Sequence, residues 1–219
     1  MVEVLVEGVA GVGRTAGAVT LTAVTKTYPA SDVLLLAGLG VTDVGENRDQ
    51  EAAPKAAEVR AAGVGLRWHY IGQLQRNKAR SVAAYADVVE SVDSERLAAA
   101  LNKAAANRER PLDVLIQVSI DEDPERGGAA GDDLWRISDA VASSDGLRLC
   151  GLMAVAPLGW EPDRAFARLA ELRSRLVAAH PGATTLSAGM SGDLEAAIRH
   201  GATHVRIGTS LLGMRNLLR

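Results

Sequence analysis

Lys26 stands at the end of Leu21-Thr22-Ala23-Val24-Thr25, a run of apolar and β-branched residues that reads as a buried strand. An amine at such a place is either a solvated strand terminus or a nucleophile held ready for a carbonyl carbon, and for a lone lysine the terminus is the plainer reading. Two stretches in the last quarter of the chain add to the case. Ser187-Ala188-Gly189-Met190-Ser191-Gly192-Asp193 brings small residues and hydroxyls up to a helical stretch at 194–200, and Arg206-Ile207-Gly208-Thr209-Ser210 offers a second set. Backbone N–H groups left open by small residues, hydroxyls and a helix N-terminus are what binds a phosphate. One amine and one phosphate cup are therefore in the sequence, and the fold decides whether they meet.

A third candidate lies near the start. Gly8-Val9-Ala10-Gly11-Val12-Gly13-Arg14-Thr15 nearly spells the phosphate loop G-x-x-x-x-G-K-[ST], with a short apolar run at 2–6 ahead of it. That motif needs a lysine at the phosphates and a helix opening behind the loop. Arg14 replaces the lysine, and the residues that follow alternate in strand period. The plainer reading is a Gly-rich lead-in over residues 1–19.

The elements that would position Lys26 and the two late loops come as an alternation. Strand-like runs fall at 20–26, 41–46, 66–72, 87–92, 113–120, 148–155, 183–189 and 204–209, with helical period between them, most clearly at 94–108, 132–144 and 164–179. Eight strands and seven intervening helices predict a parallel sheet closed into a single (β/α)₈ barrel of the TIM type, spanning residues 1–219 as one domain. An open doubly wound sheet is the competitor. Closure sets strand one beside strand eight and puts Lys26 at the C-terminal mouth, across from the loops after strands seven and eight. The amine then reaches an aldehyde carbon while a phosphate stays anchored, which suits pyridoxal phosphate.

Composition narrows the setting. Apolar residues make up 47% of the 219 while aromatics make up 3%, so the core must be aliphatic, as in buried parallel strands under Ala-rich helices. A net charge of −3, both signs being interspersed, argues against nucleic acid as a partner. Cys150 alone makes neither a disulfide framework nor a zinc cluster. Glu3 and Glu7 occupy the place of a signal peptide's positive charges, and no apolar stretch approaches the roughly 20 residues of a membrane span. The expectation is a cytoplasmic protein with no membrane contact. Asp121-Glu122-Asp123 reads as a solvated loop, Arg76, Lys78 and Arg80 as a helix face, and His180, His200 and His204 as lacking metal-ligand spacing.

Beyond this, Ala23-Val24-Thr25-Lys26, Gly45-Glu46-Asn47, the stretch Trp68-His69-Tyr70-Ile71-Gly72-Gln73-Leu74-Gln75-Arg76-Asn77-Lys78, Gly151-Leu152-Met153, Leu186-Ser187-Ala188-Gly189-Met190-Ser191 and Val205-Arg206-Ile207-Gly208-Thr209 resemble, in order and spacing from about Thr20 to Gly213, the pyridoxal phosphate homeostasis protein family. That family is related to the barrel domain of the alanine racemases. The resemblance implies a fold-type III barrel holding pyridoxal phosphate as a Schiff base on Lys26. It implies Ser191, Gly208 and Thr209 at the phosphate, with Met190 beside them. Arg206 would meet the pyridine nitrogen, with the phosphate as its other possible partner, and Asn47, His69 and Ile71 would line the cofactor's face.

Three departures from the family pattern stand out: Arg48-Asp49 where an aromatic residue usually follows Gly-Glu-Asn, which predicts a more polar rim; Arg126 where many members have lysine; and the short, Gly-rich start. What the resemblance implies about role is a monomeric, non-catalytic carrier that buffers the cofactor and delivers it to apo-enzymes. An arginine at the pyridine nitrogen weakens the ring as an electron sink. Racemisation also needs a second base, which in the racemases is a tyrosine from another domain, and eight βα units are expected to use up this chain. Of Tyr28, Tyr70 and Tyr85, only Tyr28 falls near Lys26. A slow racemase-like enzyme is the alternative.

Overall fold

The computed structural model describes residues 16–123 and 125–213, and eight parallel strands in the order β1 to β8 close into a barrel. The strands are β1 (Thr20–Val24), β2 (Asp43–Glu46), β3 (Arg67–Tyr70), β4 (Val88–Val92), β5 (Leu112–Gln117), β6 (Leu147–Met153), β7 (Thr185–Ser187) and β8 (His204–Ile207). Seven helices intervene among the described residues: α1 (Ala30–Gly38), α2 (Asp49–Ala61), α3 (Ala79–Tyr85), α4 (Glu95–Ala105), α5 (Asp133–Ala142), α6 (Pro162–Ala179) and α7 (Leu194–Arg199). A last turn of helix, α8 (Thr209–Leu212), follows β8. The expected barrel is therefore the observed one. The phosphate-loop candidate Gly8–Thr15 and the apolar run before it lie outside the described residues.

The helices form where apolar residues recur at helical spacing. In α4, Ser94 caps the N-terminus by accepting a hydrogen bond from the Leu97 N–H, and Leu97, Ala98, Leu101 and Ala105 make the buried stripe. Pro162 opens α6 at its first turn, where no N–H is needed, and Ala165, Phe166, Leu169 and Leu176 face inward. Each fully buried leucine or phenylalanine contributes about 1.5–3 kcal/mol by leaving water.

Register positions the site. β1 pairs with β2 through Val24↔Gly45 and with β8 through Ala23↔Ile207, so the residues after Val24, Glu46 and Ile207 rise side by side at the mouth. β2 and β4 end where their apolar runs do, and the other six strands end sooner. Beyond Val24 the Thr25 N–H still donates to the Gly45 carbonyl, but the Tyr28 N–H then turns back onto the Thr25 carbonyl. Lys26 thus belongs to a turn rather than to the strand.

Candidate functional site

A cavity of about 700 Å³ opens at the C-terminal mouth, between the ends of β1, β2, β3, β6, β7 and β8. Of the nine residues expected at a cofactor, eight line it: Lys26, Asn47, Ile71, Met190, Ser191, Arg206, Gly208 and Thr209. The fold collects on one surface residues separated by up to most of the chain. Val24, Thr27, Tyr28, Met153, Val155, Gly192 and Gly213 complete the lining.

Lys26 is exposed, and the backbone beneath it is held on several sides. The Thr25 carbonyl accepts from Lys55 Nζ at 2.8 Å, and Thr25 Oγ1 donates to Glu46 Oε1 at 2.6 Å. Lys55 and Glu46 are themselves paired at 2.6 Å, both buried. On the other side of Lys26, Thr27 adopts a left-handed backbone (φ 68), unusual for a β-branched residue, and its N–H donates to Glu51 Oε2 at 3.2 Å. Such a conformation costs on the order of 1–3 kcal/mol and persists only where the surroundings impose it. It sets the turn that carries the Lys26 amine.

Across the cavity, Gly189 makes the bend after β7. Its φ is +94, and a Cβ there would lie 2.7 Å from the Ala197 Cβ, so only glycine fits. The bend delivers Met190, Ser191 and Gly192 to the cavity, and the Met190 N–H is tied to Asp193 Oδ1 at 2.6 Å. Gly208 abuts β1: a Cβ would sit 3.3 Å from the Val24 Cβ. Asn47 is fixed by close approach as well, because a Cβ on Gly72 would meet the Asn47 carbonyl oxygen at 2.2 Å.

The base of the cavity is cationic. Arg206 is buried, donating from Nη1 to Ser187 Oγ at 2.7 Å and from Nη2 to the Ala154 carbonyl at 2.9 Å. Burial lowers its pKa, partly offset by the charge of Glu90, whose Oε2 lies 3.8 Å from Nη1. A guanidinium keeps its proton even so. The cavity thus presents a primary amine, small-residue loops with two hydroxyls, and a fixed guanidinium.

His69 departs from expectation. It does not line the cavity but lies inside the barrel, with Nδ1 2.7 Å from Glu90 Oε1 and Nε2 2.9 Å from Asp43 Oδ1. Two carboxylate partners require both ring nitrogens to donate, which makes the ring an imidazolium. Burial pulls its pKa down, but the hydrogen bonds and charges of Asp43 and Glu90 prevail and raise it to about 9. For Glu90 burial pulls upward, and His69, Arg206 and Ser187 bring the pKa down to about 2. Sequence reading missed Asp43 and Glu90, although a carboxylate inside an apolar strand signals a buried partner.

The polar rim expected from Arg48-Asp49 is also corrected. Neither residue lines the cavity: Arg48 is solvated beside Glu51, and Asp49 turns inward to accept from Ser81 Oγ at 2.8 Å. Asp121, Glu122 and Asp123 face three different partners, Arg126, Arg168 and the Glu125 N–H. Arg126 also donates to the Val155 carbonyl, bracing the loop against the cavity wall. Among the described residues no helix is long and apolar enough to cross a membrane.

Comparison with known proteins agrees with this fold. The family model for the alanine racemase N-terminal domain matches residues 8–216. The pyridoxal phosphate homeostasis protein of Mycobacterium leprae is 45% identical over 94% of this chain and 86% of its own length. That of Escherichia coli K12 is 39% identical over 93% and 89%. Among solved structures, PipY of Synechococcus elongatus PCC7942 with PLP bound superposes with a TM-score of 0.83 at 34% identity, covering 95% of this chain and 100% of that one. Alanine racemase from Corynebacterium glutamicum shares the fold at a TM-score of 0.70 and 14% identity, with 64% of its chain covered.

Proposed function

This chain belongs to the alanine racemase N-terminal domain family and, within it, to the pyridoxal phosphate homeostasis proteins; from that premise we propose that it binds pyridoxal phosphate at the barrel mouth, covalently through Lys26, and carries the cofactor rather than using it. The observation that carries this reading is the placing of the exposed Lys26 amine, the Ser191 and Gly208-Thr209 loops and the buried Arg206 guanidinium around one cavity. The donor set fits the group. When bound, the cofactor supplies an aldehyde carbon with which an amine condenses, losing water. Lys26 is the amine in reach. Ser191 and Thr209 hydroxyls, with backbone N–H groups opened by Gly192 and Gly208, would hold the phosphate, while Arg206 would meet the pyridine nitrogen and Asn47 and Ile71 would line the ring.

Two features favour carriage over turnover. Arg206 is always protonated, so it disfavours a proton on the pyridine nitrogen and leaves the ring a poor electron sink. The tyrosine lining the cavity, Tyr28, has its hydroxyl engaged, donating to the Gly213 carbonyl at 2.7 Å rather than pointing free into the cavity as a second base would. The test is release of the cofactor to a separately purified apo-enzyme, alongside α-proton exchange into deuterated water with alanine and serine. Transfer with negligible exchange is expected; brisk racemisation would replace the carrier reading by an enzymatic one.

A further inference from the structure

Beneath the cavity, five buried side chains form a line across the barrel interior, and the proposed binding chemistry uses only the last of them, Arg206. Asp43 on β2 accepts from His69 on β3, which donates also to Glu90 on β4; Glu90 Oε2 accepts from Ser187 Oγ on β7 at 2.6 Å; and Ser187 Oγ accepts from Arg206 on β8. Charges alternate along it: carboxylate, imidazolium, carboxylate, guanidinium. Every member is at most 6% exposed. Charges are taken out of water at a cost of several kcal/mol each, and replacing such a line by aliphatic side chains is often neutral or stabilising. Stability alone therefore gives no reason for it, and only its last member reaches the cavity.

We propose that Glu90 is a positioning residue for the cofactor: acting through Ser187, it orients Arg206 and sets how strongly that guanidinium is felt at the pyridine ring, while His69, backed by Asp43, keeps Glu90 charged. This rests on the reading of the cavity as a pyridoxal phosphate site on Lys26. The geometry supports it in two ways. Arg206 has two hydrogen-bond tethers, and one of them, Ser187, is oriented by Glu90 because a serine hydroxyl that donates to the carboxylate must accept from the arginine. Glu90 is also the carboxylate paired with Arg206, at 3.8 Å, so its charge offsets the field that the guanidinium sends toward the cavity. The groups facing Glu90 are His69, Ser187 and Arg206, with His204 of β8 adding its ring 6.0 Å from that of His69.

The experiment uses the full chain, with and without pyridoxal phosphate. Glu90→Gln keeps the shape and removes the charge, Ser187→Ala removes the hydroxyl bridge and leaves the charge, and Asp113→Asn, a buried carboxylate paired instead with Arg67 and Arg148, is the control. Borohydride trapping on Lys26 is read first, then the pH profile of the bound cofactor's absorbance, and the order of the Arg206 side chain by nitrogen-15 NMR in the cofactor-free protein. Loss of a negative charge should lower the midpoint of the absorbance profile in Glu90→Gln by about one pH unit. Ser187→Ala should loosen Arg206 and weaken cofactor affinity about tenfold. Both should still trap the cofactor on Lys26, and the control should behave as the unsubstituted protein. If Glu90→Gln does not fold, Ser187→Ala carries the test by itself. Trapping on Lys26 with wild-type absorbance and Arg206 order in the variants would overturn the positioning role and leave the cavity reading standing. Absence of a Lys26 adduct in the unsubstituted protein would overturn the cavity reading, and the proposal with it.

Discussion

Lys26 and Lys55 both meet the end of β1, yet one lies exposed over an open cavity while the other is sealed between Glu46 and the Thr25 carbonyl. The same contrast separates two regions of the barrel. At the mouth, Lys26 and Ser191 on loops and Thr209 at the start of α8 are exposed; inside, Asp43, His69, Glu90, Ser187 and Arg206 find their partners within the protein. A group whose hydrogen bonds are already made inside the protein supports other groups, whereas one facing an open cavity has bonding capacity left for a ligand. Chemistry is therefore expected from the exposed set and rigidity from the buried one, with Arg206 belonging to both because it is buried and tethered yet lines the cavity.

Breaking the buried set should cost the most. Lys55→Ala leaves the Glu46 carboxyl buried without its ion-pair partner, and is expected to destabilise the fold by about 3–5 kcal/mol, measured by urea unfolding. The interior array should show next, through pH. The pKa of His69 is raised from 6.5 to about 9, so its contribution, about 3 kcal/mol, is complete below about pH 6.5 and is lost as the pH climbs through 9. Unfolding curves taken between pH 6 and 10 should show that decline, and His69→Gln should flatten it. Ser191→Ala tests the mouth: loss of a hydrogen bond to a charged phosphate costs about 1.5–3 kcal/mol, or roughly tenfold to a hundredfold in the Kd for pyridoxal phosphate, with the unfolding curve nearly unchanged. The smallest effect belongs to Lys26→Ala, whose unfolding free energy should stay within about 0.5 kcal/mol of the parent because the side chain is exposed.

The mouth half of this division was legible in the sequence. Eight apolar runs alternating with helical period defined the barrel, and the motifs around Lys26, Asn47, Ile71, Met190, Ser191, Arg206, Gly208 and Thr209 brought the cavity lining with them. Most strand ends, though not those of β2 and β4, were read too long: the run at 113–120 pairs as a strand only through Gln117, after which Val118 bridges to Ala129 and the chain leaves the sheet. Apolar composition records burial, and burial continues past the last ladder hydrogen bond. The family resemblance implies His69 at the cofactor together with Ile71, but the two-residue step carries Ile71 up to the mouth and leaves His69 within the barrel. The left-handed Thr27 had no sequence signal at all, since a β-branched residue is among the least suited to that conformation. Among the contacts at that turn is a hydrogen bond from the Thr27 N–H to Glu51, distant in sequence.

The central claim, that the exposed lysine rather than the sealed one takes the cofactor, is tested most directly by reducing the pyridoxal phosphate complex with borohydride and mapping the labelled peptide. The account predicts a single stable adduct on Lys26, with none on Lys55. An adduct on Lys55, Lys78 or Lys103, or retention of the label in Lys26→Ala, would contradict it.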